Sequence, residues 1–363
     1  MISVSRVLFS KDEENAVLAV LRSGQVVGGE EVRKFEEEFA KYIGSKYAIA
    51  VVNGTAALHL ALLALKIGRD AEVITTPYSF IASTNAILYV GATPVFVDVN
   101  HDYNINVEKI EEKITPKTKA ILPVHLFGNP CDMDKILSIA EKHNLIIVED
   151  ACQAHGAEFK GKKVGTFGTL ACFSFYATKN MTTIEGGMIT TDNEELYEYL
   201  TMARSHGSIK KYYHEFLGYN YRLTDVQAAI GRVQLKKLSV NNEKRIRNAL
   251  YLNKGLDGVE GLSLPFFAQD KKHVFHQYTV TVSKEFPVNR DRFLDILAKK
   301  HIGYSINYPI SIHNQRSLLK MGYNTSKLEV AEQLNKQTVS LPVHPHLTKK
   351  DLNHIIATIR GII

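Results

Sequence analysis

The run Asn53-Gly54-Thr55-Ala56-Ala57 stands where an apolar stretch gives way to one rich in alanine and leucine, so it reads as a strand end followed by a helix start. Free backbone N–H groups and the positive end of the helix dipole meet at such a point and make a seat for phosphate. Gly54 lets the backbone approach closely and Thr55 adds a hydroxyl, although a plain glycine turn capped by Thr55 would look the same. Asp150 closes the apolar run LIIVE and is followed by Ala151-Cys152-Gln153-Ala154-His155-Gly156. A carboxylate beyond the carboxyl end of a strand can keep a heterocyclic nitrogen protonated, or can simply cap a helix. The segment FSFYATKN, residues 173–180, passes from strand into polar loop and carries Ser174, Thr178 and Lys179. Desolvation and a neighbouring cation lower a lysine pKa and free its amine to condense with an aldehyde. Phe80 could offer a flat face to a ring, or pack in the core.

Taken together, these residues meet the needs of one cofactor. Pyridoxal 5'-phosphate has a phosphate, a ring nitrogen and an aldehyde, and the chain offers an anion seat, a carboxylate and an amine in that order.

Such an arrangement requires a parallel sheet whose strands end on one side. Short β-branched runs alternate with helical patterns through the first two-thirds of the chain, as βαβ units do. Strands are predicted at 47–52, 72–75, 94–99, 120–125, 145–150, 171–175 and 188–191. Helices are predicted at 55–66, 83–90, 107–114 and 132–143, and a long one over 224–256. The remainder reads as α+β, with strands at 277–282 and 304–307 and helices at 290–300, 327–338 and 349–359. The expected division is a large α/β domain over 1–240 and a smaller α+β domain over 241–363.

The bulk properties agree with a globular enzyme. The 363 residues are 45% hydrophobic and 23% charged, and the net charge of +6 is spread without a basic run. No nucleic-acid module is recognisable. Cys131, Cys152 and Cys172 form no CxxC pair, no apolar run is long enough to cross a bilayer, and the start of the chain is too charged for a signal peptide. The expectation is a soluble, cytoplasmic protein with neither membrane nor nucleic-acid partner. A nicotinamide dehydrogenase would need GxGxxG after a strand, which is absent. A cysteine desulfurase would need a loop cysteine, whereas Cys152 and Cys172 sit beside predicted strands and read as packed.

Over nearly its whole length the chain resembles the DegT/DnrJ/EryC1/StrS aminotransferases, a branch of the aspartate-aminotransferase fold (fold type I). The matching segments include VVNGTAALHLAL, TTPYSFIAST, GATPVFVDV, AILPVHLFGNPCDMD, VEDACQAHGAEFKGKKVG, FSFYATKNMTTIEGGMITT, GYNYRLTDVQAAIG and SLPVHPHLT. The resemblance implies a mostly parallel seven-stranded sheet flanked by helices and a pyridoxal-phosphate-dependent transaminase working on nucleotide-linked keto sugars. It implies that Lys179 forms the imine with the cofactor, that Asp150 bonds the ring nitrogen, that Gln153 lies on the ring's hydroxyl side and that Phe80 stacks on the ring. Gly54, Thr55, Ala56 and Ser174 would hold the phosphate. Asn220, in GYNYR, would reach the phosphate of the neighbouring subunit, which implies a homodimer with shared active sites and gives the tyrosine-rich loop around Tyr212, Tyr213, Tyr219 and Tyr221 a place in the interface. Tyr308 and His313 resemble a substrate-binding stretch, His313 being otherwise a surface residue.

The implied reaction is a ping-pong transfer from an amino acid, L-glutamate being the usual donor, to a keto sugar, with C4 of a 4-keto-6-deoxy sugar favoured. C3-specific and cyclitol relatives share most of the motifs, and a non-catalytic cofactor-binding regulator is argued against by Lys179, Asp150 and Ser174 standing together. Where the family usually has Gly-Glu-Gly-Gly, this chain has Ile184-Glu185-Gly186-Gly187. A β-branched residue disfavours a positive φ, so the lysine loop is expected to follow a slightly different path. His344 and His346 flank Pro345 and read as a solvent-facing turn, with no metal site.

Overall fold

The computed structural model describes residues 1–266, 268–323 and 327–362. Seven strands form the main sheet: β1 (Tyr47–Val51), β2 (Glu72–Thr75), β3 (Thr93–Phe96), β4 (Thr118–Leu122), β5 (Ile146–Asp150), β6 (Leu170–Ser174) and β7 (Gly187–Thr191). Their spatial order is β1-β7-β6-β5-β4-β2-β3. All neighbours pair in parallel except β7, which runs antiparallel to both β1 and β6. The helices longer than five residues are α1 (Lys11–Ser23), α2 (Glu30–Ile43), α3 (Gly54–Ala64), α4 (Ala82–Tyr89), α5 (Met133–His143), α6 (Glu194–Ala203), α7 (Asp225–Leu256), α8 (Arg290–Lys299), α9 (Glu329–Gln337) and α10 (Lys349–Arg360).

The sheet is buried on both faces, which is why its strands read as nearly unbroken apolar runs. Successive side chains point to opposite faces, so Ile49 and Val51 join the core that holds Leu58, Leu62 and Leu200, while Ala48 and Ala50 join the one that holds Phe35, Phe39 and Phe173. Glu149 is fully buried just before the end of β5. Burial works to raise its pKa, but His125 at 3.0 Å and the N–H groups of Gly165 and Gly168 hold it below the usual carboxylate range.

Thr224 and Gln227 form a capping box at the start of α7, and Asp225 accepts N–H bonds from Gly29, Glu31 and Val32, fixing the start of α2. Gly231 is required where the two helices cross, because a methyl group there would stand 2.6 Å from the Phe35 ring. The C-terminal half of α7 packs in a separate core with Phe293 and Ile355, beside a three-stranded antiparallel sheet of β8 (Leu262–Ser263), β9 (Tyr278–Val282) and β10 (Thr338–Leu341).

Several expectations are corrected. The predicted helix 107–114 is two 3₁₀ turns, Val107–Lys109 and Glu111–Lys113. Buried Val107 and Ile110 are three residues apart, the period at which a 3₁₀ turn stacks side chains on one side. The predicted strand 304–307 is reduced to one bridge between Ser305 and Ser340, and beyond it Asn307 bonds through its side-chain amide to the Ser305 and Ser340 hydroxyls. Helices α1, α2 and α6 and strand β10 were not expected. Ser10 and Glu13 do form a capping-box signature for α1.

Candidate active site

The carboxyl ends of β1, β2, β4, β5 and β6 face one cavity of about 520 Å³. β1 delivers Asn53, Gly54 and Thr55; the loop after β2 delivers Ser79 and Phe80, and the start of α4 Ser83; β5 delivers Asp150, Cys152 and Gln153; and β6 delivers Ser174, Thr178 and Lys179. Tyr308 and His276 complete the wall from the C-terminal third of the chain. Open α/β sheets bind ligands in this position, outside the carboxyl ends of their strands.

Asn53, rather than Thr55, caps α3, its side-chain oxygen accepting the Ala56 N–H at 2.8 Å. Thr55 is therefore left on the first turn, facing the cavity beside Gly54. The same cap occupies the Ala56 N–H, and Ala56 is off the cavity wall, so the structure does not bring this expected phosphate contact to the site. Gly54 is packed tightly: a methyl group added to it would lie 2.8 Å from Ser174 Cβ and 3.0 Å from Cys152 Sγ. Ser174 is buried, with its hydroxyl accepting the Tyr176 N–H at 3.3 Å.

Asp150 is buried, and both carboxylate oxygens are held. Oδ2 accepts from the Ser83 hydroxyl at 2.7 Å and Oδ1 from the Cys152 N–H at 3.2 Å. Gln153 links two parts of the wall, accepting the Phe127 N–H at 2.9 Å and donating to the Tyr308 hydroxyl at 3.1 Å. Burial raises the Tyr308 phenol pKa and pushes that of the Cys152 thiol well up.

Lys179 is anchored through its loop. Its N–H donates to Tyr176 O, and the next residue, Asn180, donates from its side chain to Asn242 on α7 (2.8 Å) and to Val274 O (3.0 Å). Asn242 in turn donates to His155 O at 2.8 Å, tying this loop to the one that follows Asp150. Burial lowers the Lys179 pKa from the ordinary lysine range, against the opposing pull of Cys152 and Asp150. Nearby His155 is pushed down to about 3 by burial, with the Lys179 charge second, and His276 falls for the same two reasons.

Phe80 is 60% exposed on the cavity rim, so it does not pack in the core. Cys152 lines the cavity instead of being fully packed, whereas Cys172 is buried. Ile184 adopts φ +74°, the conformation its β-branched side chain was expected to avoid. Its N–H donates to the Thr182 hydroxyl at 2.8 Å, and the flanking Thr183 donates its N–H to Phe175 O and its hydroxyl to Glu185 O. This clamp overrides the local preference, and the loop keeps the turn that a glycine would have suited.

His313 is neither a surface residue nor part of the cavity. It is buried beside Phe96, with Nε2 3.1 Å from Glu332. His344 is likewise buried rather than solvent-facing. No group of three or more metal-ligating side chains is found among the described residues. Asn220 is exposed and lies outside this cavity. Sequence reasoning missed Ser83 and His276, which carry no local signal, and gave the cap of α3 to Thr55 although Asn53 is a good cap residue immediately before the helix.

The donor set fits pyridoxal phosphate. A helix start with a hydroxyl and a glycine cradle suits its phosphate, a hydrogen-bonded carboxylate suits a protonated ring nitrogen, and a desolvated amine suits its aldehyde. The volume is within the range of small-molecule sites.

The profile of the DegT/DnrJ/EryC1/StrS aminotransferase family matches residues 8–360. The dTDP-3-amino-3,6-dideoxy-alpha-D-galactopyranose transaminase of Aneurinibacillus thermoaerophilus is 41% identical, with 97% of this chain and 95% of that protein covered. The GDP-perosamine synthase of Caulobacter vibrioides is 38% identical, covering 100% of this chain and 98% of that one. Among solved structures, S. venezuelae DesV in complex with a ketimine intermediate superposes with a TM-score of 0.92 at 39% identity, over 96% of this chain and 93% of that one.

Proposed function

Given that this chain belongs to the DegT/DnrJ/EryC1/StrS family of pyridoxal-phosphate-dependent aminotransferases, we propose that it transfers an amino group from an amino acid to a nucleotide-linked keto sugar. The observation that carries the reading is that Lys179, Asp150 and Thr55, from three separate strand ends, line one cavity.

Gly54, Thr55 and Ser174 would hold the cofactor's phosphate, Asp150 its ring nitrogen and Phe80 its face, with Gln153 beside its hydroxyl. When bound there, the cofactor supplies an aldehyde and an electron-withdrawing ring. Lys179 Nζ, whose pKa burial lowers, acts as general base toward the α-proton of the donor and returns a proton as general acid. Asp150, fixed by Ser83 and the Cys152 N–H, stays placed to hold a positive charge opposite it.

The donor is proposed to be L-glutamate. For the acceptor, C4 of a 4-keto-6-deoxy sugar is proposed, supported by full-length likeness to a GDP-perosamine synthase. Amination at C3 is the second reading, favoured by 41% identity to a 3-amino-sugar transaminase. A second copy of the chain is proposed to complete the site by supplying Asn220. Tyr212 and Tyr213 in the hairpin Ser208–His214, together with Leu217, are strongly exposed and offer an apolar face for that contact.

Glutamate should convert the visible spectrum of the cofactor-loaded protein, and a panel of nucleotide keto sugars, read by product mass and proton spectra, should yield one aminated product. Lys179→Ala should lose turnover. Turnover at the wild-type rate in that variant would overturn the assignment.

A further inference from the structure

On α3, Thr55 faces the cofactor cavity and His59 follows four positions later, one turn along the same side of the helix. The segment 219–222 meets His59 there. Its backbone is tied down: the Tyr219 N–H donates to Ala203 O, the Tyr221 N–H to Arg204 O, and the Val52 N–H, just past β1, donates to Tyr221 O at 2.8 Å. Asn220 forms a single bridge with Ser205 and is exposed. Side chains alternate along an extended segment, so Tyr219 and Tyr221 turn towards α3 while Asn220 between them turns outward.

His59 is 7% exposed. Its ring centre lies 5.1 Å from that of Tyr219 and 5.6 Å from that of Tyr89, and its Nδ1 stands 3.4 Å from the Tyr221 hydroxyl. Tyr219 and Tyr221 stack on each other at 5.1 Å. Burial lowers the imidazole pKa, which favours an uncharged ring able to share a proton with that hydroxyl. An aliphatic side chain could fill the same space. What the imidazole adds is an anchor for the Tyr221 hydroxyl, and with it for the stacked pair that flanks Asn220.

We propose that His59 is a positioning residue for the neighbouring copy: acting through Tyr221, it fixes how Asn220 is presented to the cofactor phosphate of the partner subunit. The proposal rests on the reading above in which a second copy supplies Asn220. Because Thr55 and His59 share a helix, α3 holds the phosphate of its own site directly and that of the other site at one remove. In a twofold dimer the arrangement is reciprocal, so each α3 serves both sites.

Mixed dimers of differently tagged subunits separate this role from one in the subunit's own packing. The visible absorbance of cofactor joined to Lys179 is lost in a Lys179→Ala subunit, so a dimer containing one such subunit has one visible site. When the Lys179→Ala subunit also carries His59→Leu, the visible site draws Asn220 from the altered copy, and its cofactor dissociation constant should rise about fivefold. When His59→Leu is placed instead in the subunit that keeps Lys179, the constant should stay within about twofold of wild type. Tyr221→Phe should repeat the pattern, and adding it to His59→Leu should weaken binding little further. Weakening confined to the second pairing, equal weakening in both, or none in either would overturn the assignment. Asn220→Ala tests the underlying reading: it should act only from the Lys179→Ala subunit. If it acts from the other subunit or not at all, the shared-site reading fails and the proposal with it, whereas a normal Asn220→Ala result beside an inert His59→Leu sinks the proposal alone.

Discussion

Ser83 offers the sharpest test of how the site is held together. Its hydroxyl lies 2.7 Å from Asp150 Oδ2, and the carboxylate is 4% exposed, so water has little access to replace a lost donor. The other oxygen, Oδ1, keeps only the longer bond from the Cys152 N–H at 3.2 Å. Ser83→Ala would leave Asp150 with one of its two anchors. A hydrogen bond to a charged group contributes about 2 kcal/mol, which corresponds to about thirtyfold in an equilibrium or rate constant. The expected result is a fall of about thirtyfold in the kcat/KM of the glutamate half-reaction, followed by the visible spectrum, with weaker retention of the cofactor. Ser83→Thr keeps the hydroxyl and should recover most of the loss. If Ser83→Ala reacts as fast as wild type and holds the cofactor equally well, Asp150 is oriented by something else and the reasoning fails.

Ile184→Gly should stabilise the protein by about 1 kcal/mol, because it releases a β-branched residue from a positive φ while removing a side chain that is already half exposed; a lower thermal midpoint than wild type would refute this. Asn242→Ala breaks the link from Asn180 to His155 and should cost about 1–3 kcal/mol, read by denaturant unfolding, while also slowing the glutamate half-reaction; loss of stability with an unchanged half-reaction would show that the link does not position Lys179. Lys179 in the cofactor-free protein should react with an amine-selective reagent at a pH below that needed for surface lysines, as read by peptide mass. Its pKa is lower in the folded than in the unfolded chain, so the unfolded state binds more protons between the two values. Stability should therefore rise with pH through that window, and Lys179→Met should remove this contribution.

How much of this was legible depends on the distance over which each residue finds its partner. Asp150 and Lys179 could be read because a chemical type coincides with a local pattern, the end of an apolar run. Ser83 could not, since its partner is 67 positions away and nothing in TTPYSFIAST marks one hydroxyl above the others. The contact from Gln153 to Tyr308 spans 155 positions, and that from Asn180 to Asn242 spans 62. Ile184 was misjudged because intrinsic preference was weighed without the threonine hydrogen bonds that close the turn. His313 and His344 show the complementary error: polarity suggested surface or site, while His313 packs against Phe96 and His344 is buried. Helix α1 does carry a local signal, its capping box, but it and α2 stand ahead of the strand alternation that marks the fold class.

The site separates two ionisable groups that share one cavity, and the separation follows from the fold. At the end of β5, Asp150 receives a hydroxyl from α4 and a backbone N–H, which fix both of its oxygens. Lys179 receives no such help: among the described residues nothing accepts a hydrogen bond from Nζ, and burial pulls it toward the neutral amine. The groups around it reinforce the asymmetry. His155 and His276 are held neutral by burial and by the lysine's own charge, and the Cys152 thiol and Tyr308 phenol are kept protonated. No second carboxylate is buried in the cavity wall to pair with the ammonium, because Glu185, the other acid there, is exposed. An amine whose pKa burial lowers, beside a carboxylate whose two oxygens are both held, suits donor deprotonation, and here the pairing arises from which strand end each residue occupies. Placing a carboxylate at Thr178, next to Lys179 on the same wall, should undo it: Thr178→Asp would favour the ammonium and shift the half-reaction's pH profile upward. An unshifted profile in a folded, cofactor-loaded Thr178→Asp variant would mean that desolvation does not set the lysine's reactivity.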